Sequence, residues 1–327
     1  MKIGVGRWFG GVAVSLAIGL ALSGAAASQE LVKLRLAKSV AGSIAFAGLE
    51  LGQKTGIWKK HGFDVEVFTF GGDAQMQQAF VSGSIDFGLG SGPGMGFHAK
   101  GVPAVAVAAL AGPPLNMSFL VRKDDNAINT GADIKGKRVG VTTIGSLTDW
   151  LARQYSLKMG WGPDGVEIVA AGGIKARLAS MMSGEVPVQV SSVPSANEVV
   201  EAGEGKIVAL LGEMVPDFHT HVIFASTDMV ENNPQRVSEF LKAWFEIVQY
   251  MRDNRPETVK NAAQIMEVRE SVIEASYDDE MHMLSDDGAF NPAAIEVIRN
   301  SFVDLGILDT VPEAKEIYTD KFVPVKR

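Results

Sequence analysis

The chain of 327 residues contains no cysteine. It therefore has no disulfide, no thiolate metal ligand, no thiol nucleophile and no lipid-bearing thiol to tether it as a lipoprotein. Histidine is scarce, with five in all. His219 and His221 straddle Thr220 and would share one face of an extended segment, but no acidic residue or cysteine adjoins them, so no metal is expected. The acidic clusters Asp278-Asp279-Glu280 and Asp286-Asp287 lack the twelve-residue calcium loop and read as solvated charge. Basic residues are in the minority, 30 Lys and Arg against 38 Asp and Glu, a formal charge of −8. That balance argues against nucleic acid or an anionic membrane surface as partner. The G-x-S-x-G and H-E-x-x-H signatures of common hydrolases are absent.

Long hydrophobic runs are also missing. Val12 to Leu22 is apolar or small throughout, but this falls short of the roughly 20 residues of a membrane span. With Lys2 and Arg7 before it and Ala25-Ala26-Ala27 after it, the stretch reads as an export signal, residues 1–27, cut after Ala27. Without Lys2 and Arg7 the basic count falls from 30 to 28 against 38 acidic residues, a charge of −10. A soluble periplasmic monomer is expected, the mature chain not inserted in a membrane.

What the chain does have is a repeat. VEVFTFGGDAQMQQAFVSGSIDFGLGSGP, residues 65–93, returns 101 positions later as VEIVAAGGIKARLASMMSGEVPVQVSSVP, residues 166–194. Val, Glu, the Gly-Gly pair, Ser-Gly, Ser and Pro recur in register. Each copy is an apolar run, a Gly-Gly break, about ten helix-forming residues, a Ser-Gly stop and a second apolar run, which spells a βαβ unit. So long a period implies two similar lobes and not a solenoid. Clefts between such lobes hold small ligands.

The remaining elements follow in order. Residues 31–38 alternate as a half-buried strand, a helix occupies 43–54, and strands are expected at 63–70, 102–110 and 119–122. Gly88, Gly90, Gly92, Gly94 and Gly96 alternate, but Pro93, Met95 and Phe97 stand in turn where a dinucleotide fingerprint needs its third Gly, so NAD and FAD are excluded. These glycines are expected to permit a tight turn and close approach of backbone to ligand. The second lobe opens with a strand at 137–142 and a helix capped by Ser146, with Asp149 completing a capping box, up to Lys158. Strands at 206–212 and 221–226 follow. Beyond Pro234 the chain is helical, at about 234–253, 257–266, 270–284, 292–305 and 313–320, the first with a core stripe at Val237, Phe240, Leu241, Trp244, Ile247, Val248 and Met251.

These segments together resemble the solute-binding proteins of ABC importers, in the group that binds nitrate, taurine, alkanesulfonates and thiamine precursors. The resemblance is carried by Gly56-Ile57-Trp58 with Gly62 to Val67, Ser82 to Gly88, Ile134 to Val141, Ser183 to Val186 and Pro234 to Ala243, and it spans essentially the whole mature chain. Pro187-Val188 departs from the group's usual Asp-Ala. The resemblance implies an α/β, two-lobed type II binding protein closing like a flytrap, with the helical tail packed on the first lobe. The expected boundaries are 28–117 for the first lobe, 118–221 for the second, and 222–327 for the return and tail. It also implies a permease and its ATPase as partners, and no cofactor or catalysis.

Ligands of open α/β sheets sit beyond the carboxyl ends of the strands. Those ends are rich in hydroxyls and free backbone N–H groups, which suit anionic oxygens. The expected ligand is a small organic anion, a sulfonate or carboxylate, its apolar or aromatic body against Phe46, Phe70 or Met95. Ser43, Gly71, Ser91, Gly92, Thr143, Ser146 and Ser192 are the candidate polar contacts, each equally able to serve as a plain cap or turn residue. Lys175 or Arg177 could supply a cation, although residues of this type on a helix are usually solvated, and His219 is a further candidate. Alternatives are a neutral pyrimidine precursor as ligand, an enzyme built on the same fold, or a sensor subunit reporting to a membrane kinase.

Overall fold

In the computed structural model, residues 30–326 are described together with positions 1, 4 and 6. The expected export signal and its cut after Ala27 otherwise lie outside the described residues.

The first sheet is built from β1 (Val32–Lys38), β2 (Phe63–Thr69), β3 (Phe87–Ser91), β4 (Ala104–Ala111) and the late strand β10 (His221–Ser226), in the order β2-β1-β3-β10-β4. The second contains β5 (Met117–Arg122), β6 (Arg138–Val141), β7 (Glu167–Ala170), β8 (Val188–Ser192) and β9 (Gly205–Leu210), in the order β7-β6-β8-β5-β9. In each sheet four strands run in one direction, and the strand fourth in the order runs antiparallel to both its neighbours. That antiparallel strand is the one arriving from the other sheet: β5 follows β4, and β10 follows β9. The chain thus crosses between lobes twice, through 112–116 and 211–220.

Helices α1 (Gly48–Thr55), α2 (Ile57–Lys60), α3 (Asp73–Val81) and α4 (Gly96–Ala99) serve the first lobe; α5 (Leu147–Lys158), α6 (Ile174–Met182) and α7 (Val193–Glu201) serve the second. The tail consists of α8 (Thr227–Asn232), α9 (Pro234–Asp253), α10 (Arg255–Met266), α11 (Glu270–Met283) and α12 (Pro292–Asp304). The repeat emerges as β2-α3-β3 and β7-α6-β8, each crossing over one intervening strand, β1 or β6. Pro187 sits just before β8, where its missing N–H costs no ladder bond.

The apolar stripe of α9 is buried as its spacing predicts. Phe240 lies between Phe87, with ring centroids 3.9 Å apart, and Trp58, at 5.2 Å. The tail packs on the first lobe through α9 against α1 and α2, but α11 also packs against α7 of the second lobe. Arg269 extends that contact, pairing with Glu201 at 2.9 Å and Glu198 at 3.2 Å.

Two expectations need correction. The helix at 313–320 is only a single turn, Ala314–Glu316, because the chain then extends along the edge of β4, where the Thr319 N–H donates to the Ala106 carbonyl at 2.9 Å. The alternating glycines serve packing, not ligand approach. A Cβ at Gly88 would lie 2.9 Å from Met76, and one at Gly90 would lie 2.8 Å from the Asp73 carboxylate.

Candidate binding cleft

The carboxyl ends of the strands in the two sheets face each other, and the lobes touch there. The Ser192 hydroxyl of the second lobe donates to the Gly42 carbonyl of the first at 3.1 Å. The Gly-Gly breaks of the repeat meet across the gap: a Cβ on Gly173 would lie 3.9 Å from Gly71, and one on Gly72 would lie 2.7 Å from Thr143. Glycine at these breaks lets the backbones approach.

Between them lies a cavity of about 60 Å³, lined from the first lobe by 39–43, Asp73, Ser91 and His221, from the crossing by Asn116 and Met117, and from the second lobe by Thr142, Leu147, Thr148, Ile174, Arg177 and Ser192. Local bonds fix its walls. Ser146 caps α5 by accepting the Asp149 N–H at 3.4 Å, and Asp149 in turn accepts the Gly145 N–H at 2.8 Å, which holds the turn carrying Thr142. Thr142 N–H donates to Thr148 Oγ1 at 2.9 Å. Asp73 opens α3 and accepts the Ser91 N–H at 2.8 Å.

The cavity carries charge that the lobes themselves do not neutralise. Arg177 is 5% exposed; one of its terminal N–H groups is bound by the Val190 carbonyl, while Nε finds no partner among the described residues. Burial holds its pKa down at about 10. Asp73, 3% exposed, has no basic partner among the described residues, and burial pushes its carboxyl up. Ser43 Oγ, Asn116 Oδ1 and His221 Nδ1 are likewise buried without partners. Burial keeps His221 near a pKa of about 4, so the ring is neutral at pH 7. Buried polar atoms are nearly always satisfied, and four unpaired ones around one cavity, on Ser43, Asn116, Arg177 and His221, mark a place built for polar contact.

Of the residues singled out in the sequence, Ser43, Ser91, Ser192 and Arg177 line this cavity. Ser146 and Thr143 lie in the turn behind it, Thr143 with its hydroxyl buried and unpaired. Gly71 holds the lobe contact. Phe46 is fully buried, its ring 4.5 Å from that of His221, and belongs to the core. Met95 is buried beside α3 in the same way. Gly92 packs on the His219 carbonyl, and His219 accepts the Asn291 N–H at 2.9 Å outside the cavity. Phe70 and Lys175 line an outer groove instead, with Ile174, Ile265, Met266 and Glu267. Lys175 is 84% exposed and pairs with Glu267. The reason is helical phase. On α6 the inward stripe runs through Ile174, Arg177 and Met181, and Lys175 falls about 100° away from it.

Asp73, Asn116 and Thr148 carry no comparable sequence signal, whereas the repeat favours Arg177 over Lys175 as the cation. In the repeat register Arg177 stands where the first copy has Met76, fully buried, and Ile174 stands where the first copy has Asp73. A charge at a core position of a repeat is a sign of function.

Two α/β lobes joined by two crossings, with strand ends facing across a polar cavity, define the periplasmic-binding-protein fold. The family model described as NMT1/THI5 like matches residues 43–258, more than half of the chain, and the chain belongs to that family. A protein of Bacillus subtilis (strain 168), YtlA, whose naming as a binding protein is provisional, is 26% identical over 296 residues, 87% of each chain. Among solved structures, the alkanesulfonate-binding protein SsuA of Xanthomonas axonopodis pv. citri, bound to MOPS, is 17% identical with a TM-score of 0.73, covering 87% of this chain and 96% of that one. The nitrate-binding protein NrtA of Synechocystis PCC 6803 is 18% identical with a TM-score of 0.73, over 90% of this chain and 87% of its own.

Proposed function

We propose that this chain is the exported, periplasmic solute-binding subunit of an ABC importer, which captures a small organic anion between its lobes and hands it to a permease and its ATPase. The observation that carries this reading is Arg177, a buried guanidinium with an unpaired Nε on the wall of the interlobe cavity. A buried charge without a counter-charge is costly, and an anion that enters with the closing lobes supplies one. Ser43, Ser91, Ser192 and Thr148 add hydroxyls around it. A sulfonate or carboxylate suits a planar guanidinium, which can donate two parallel bonds to it. The small cavity favours a ligand of few heavy atoms, well below drug size.

The lobes, 28–117 with 222–327 and 118–221, would swing about the segments 112–116 and 211–220. A ligand touching both lobes selects the closed arrangement, since its contacts exist in full only there. The names of SsuA and NrtA agree with an anionic ligand. The absence of cysteine from the chain speaks against a thiol-dependent enzyme on this fold.

The test is a thermal-shift screen of residues 28–327 against sulfonates, carboxylates and nitrate, each beside a neutral isostere. An anion at a hundred times its Kd adds about 2.7 kcal/mol, about 4 °C in Tm for a protein of this size. If neutral heterocycles shift the protein and anions do not, the anion reading is wrong.

A further inference from the structure

The unpaired Oδ1 of Asn116 stands at the end of a short chain of bonds that leads from the cavity to a buried acid. Asn116 is 4% exposed and Glu280, on α11, is 2% exposed. The Asn116 amide N–H₂ donates to the Glu280 carboxylate, and the Ala45 N–H bonds the same group. The donor end of Asn116 is thus spent on the acid, and its acceptor end is buried without a partner. Asn116 lines the cavity together with Arg177. An anion there gains nothing from a carbonyl oxygen, which has no hydrogen to donate. Turning the amide over would supply one. Its two ends have nearly the same shape, so the surrounding bonds alone decide its direction. The backbone need not move: the Asn116 carbonyl accepts the Val193 N–H at 2.6 Å, and the Met117 N–H donates to the Pro114 carbonyl at 3.2 Å. Turned over, however, Oδ1 faces Glu280, and a carboxylate has no hydrogen to give it. A carboxyl that has taken a proton from water does.

We propose that Glu280 is a positioning residue whose proton sets which end of Asn116 faces the ligand. Protonated, Glu280 donates its O–H to Oδ1 and Asn116 presents N–H₂ to an anion; ionised, it takes the N–H₂ and Asn116 presents a bare acceptor. This rests on the anion reading above and adds that capture takes up a proton. The acid titrates in the range where this matters, since burial raises its pKa to about 7. Asp279, beside it on α11, adds a like charge. Charged groups on the neighbouring helices are engaged elsewhere. Arg255 of α10 pairs with Glu274 and Asp278, Glu257 takes the Tyr250 hydroxyl, and Lys260 is exposed. Glu198 and Glu201 of α7 pair with Arg269, and Arg252 of α9 pairs with Asp286. Lys38 and Glu50, which flank residues 39–47, pair with each other, and burial keeps His221 neutral at pH 7. The sense of the linkage follows: anion affinity is highest while Glu280 holds its proton and falls as the pH rises through 7, because the bound anion raises the pKa of the acid further.

The test is calorimetric titration of residues 28–327 with nitrate, methanesulfonate and propane-1-sulfonate, whose charge does not change between about pH 5.5 and 8.5, repeated on Glu280→Gln and Asn116→Leu. The expected result is that wild type binds its preferred anion about tenfold or more tighter at the lower pH, the worth of a charge-assisted bond gained. Near pH 7.5 it also takes up about half a proton or more, read from the heats in buffers of different ionisation enthalpy. In Glu280→Gln the Ala45 N–H holds the amide oxygen and leaves the N–H₂ for Oδ1, which fixes the binding direction of Asn116. Its affinity therefore changes by less than about threefold between the two pH values, and it takes up no proton. Asn116→Leu binds weakly and alike at both. A wild-type affinity indifferent to pH, or a fall that Glu280→Gln retains in full, overturns the proposal and leaves the anion reading standing. Absence of binding by all three anions at the lower pH overturns both. A melting curve for each variant at both pH values separates a lost contact from a lost fold, and the wild-type proton uptake is read without any variant.

Discussion

Replacing Arg177 with Met should make the empty protein more stable and the binding protein useless. The two effects have one cause. Burial lowers the guanidinium pKa to about 10, and at 1.36 kcal/mol for each tenfold of proton affinity the drop from the ordinary Arg value costs the folded state about 3 kcal/mol. The penalty is fully present below pH 10 and relieved above it, since between the folded and unfolded values the unfolded chain holds the extra proton. Methionine fills similar space without charge, and the lost bond to the Val190 carbonyl gives back about 1 kcal/mol, so the variant should gain about 2 kcal/mol, about 3 °C in Tm. Binding moves the other way. Loss of charge-assisted bonds to a desolvated anion costs at least about 3 kcal/mol, more than a hundredfold in Kd. Urea unfolding and calorimetric titration on the same sample measure both. A variant that melts several degrees lower, or that binds anions as wild type does, would refute the reasoning.

Other consequences follow from neighbouring groups. Burial raises the Glu280 carboxyl to about 7, so the folded state binds this proton more tightly than the unfolded one. Its stabilisation is complete below about pH 4.3 and is lost as the pH rises through 7; relative to wild type, Glu280→Gln should therefore gain about 3 kcal/mol between pH 5 and 8 in urea titrations. A side chain at Gly42 would meet Ile174 at 2.6 Å and Ser195 at 3.2 Å. Gly42→Val should wedge the cleft, lowering anion affinity tenfold or more while the unliganded Tm stays within about 2 °C, since the obstacle lies between lobes and not within one. The pairs of Arg269 with Glu198 and Glu201 and of Lys175 with Glu267 clasp the tail to the second lobe at the surface. Exposed pairs of this kind are worth under about 1 kcal/mol each and fade with salt. Arg269→Glu should widen the interlobe distance distribution at low salt and match wild type at high salt; because the chain has no cysteine, a pair of introduced spin-labelled cysteines reports that distance without background.

How far the sequence alone carried these conclusions differs from element to element. The repeat made both βαβ units and the two-lobed plan visible, and the stripe of α9 showed its buried face, because strand alternation and helical spacing are local signals. The turn at 314–316 was overread as a helix because pairing of Thr319 with the edge of β4 is a long-range event no local pattern reports. That Ser43, Ser91 and Ser192 line the cavity follows from the topology of parallel sheets, which puts strand ends at the cleft. Lys175 and Phe70 line the outer groove and not the cavity, a placement set by helical phase and lobe geometry that no local pattern reports. Asn116 belongs to a crossing whose place beside the cavity is fixed only when both sheets are assembled. Arg177 was legible beside Lys175 as a possible cation, and comparing the two copies at buried positions chooses between them, since Arg177 stands at the position of the buried Met76.

The central claim is that an anion bridges the lobes at Arg177. A crystal structure of the wild-type protein with the tightest-binding anion of the thermal-shift screen tests it most directly. The account predicts closed lobes, with anionic oxygens within about 3.2 Å of Arg177 Nε and of Ser43 Oγ. An anion lodged in the outer groove beside Lys175, with Arg177 Nε still unpaired in a closed cleft, would contradict it.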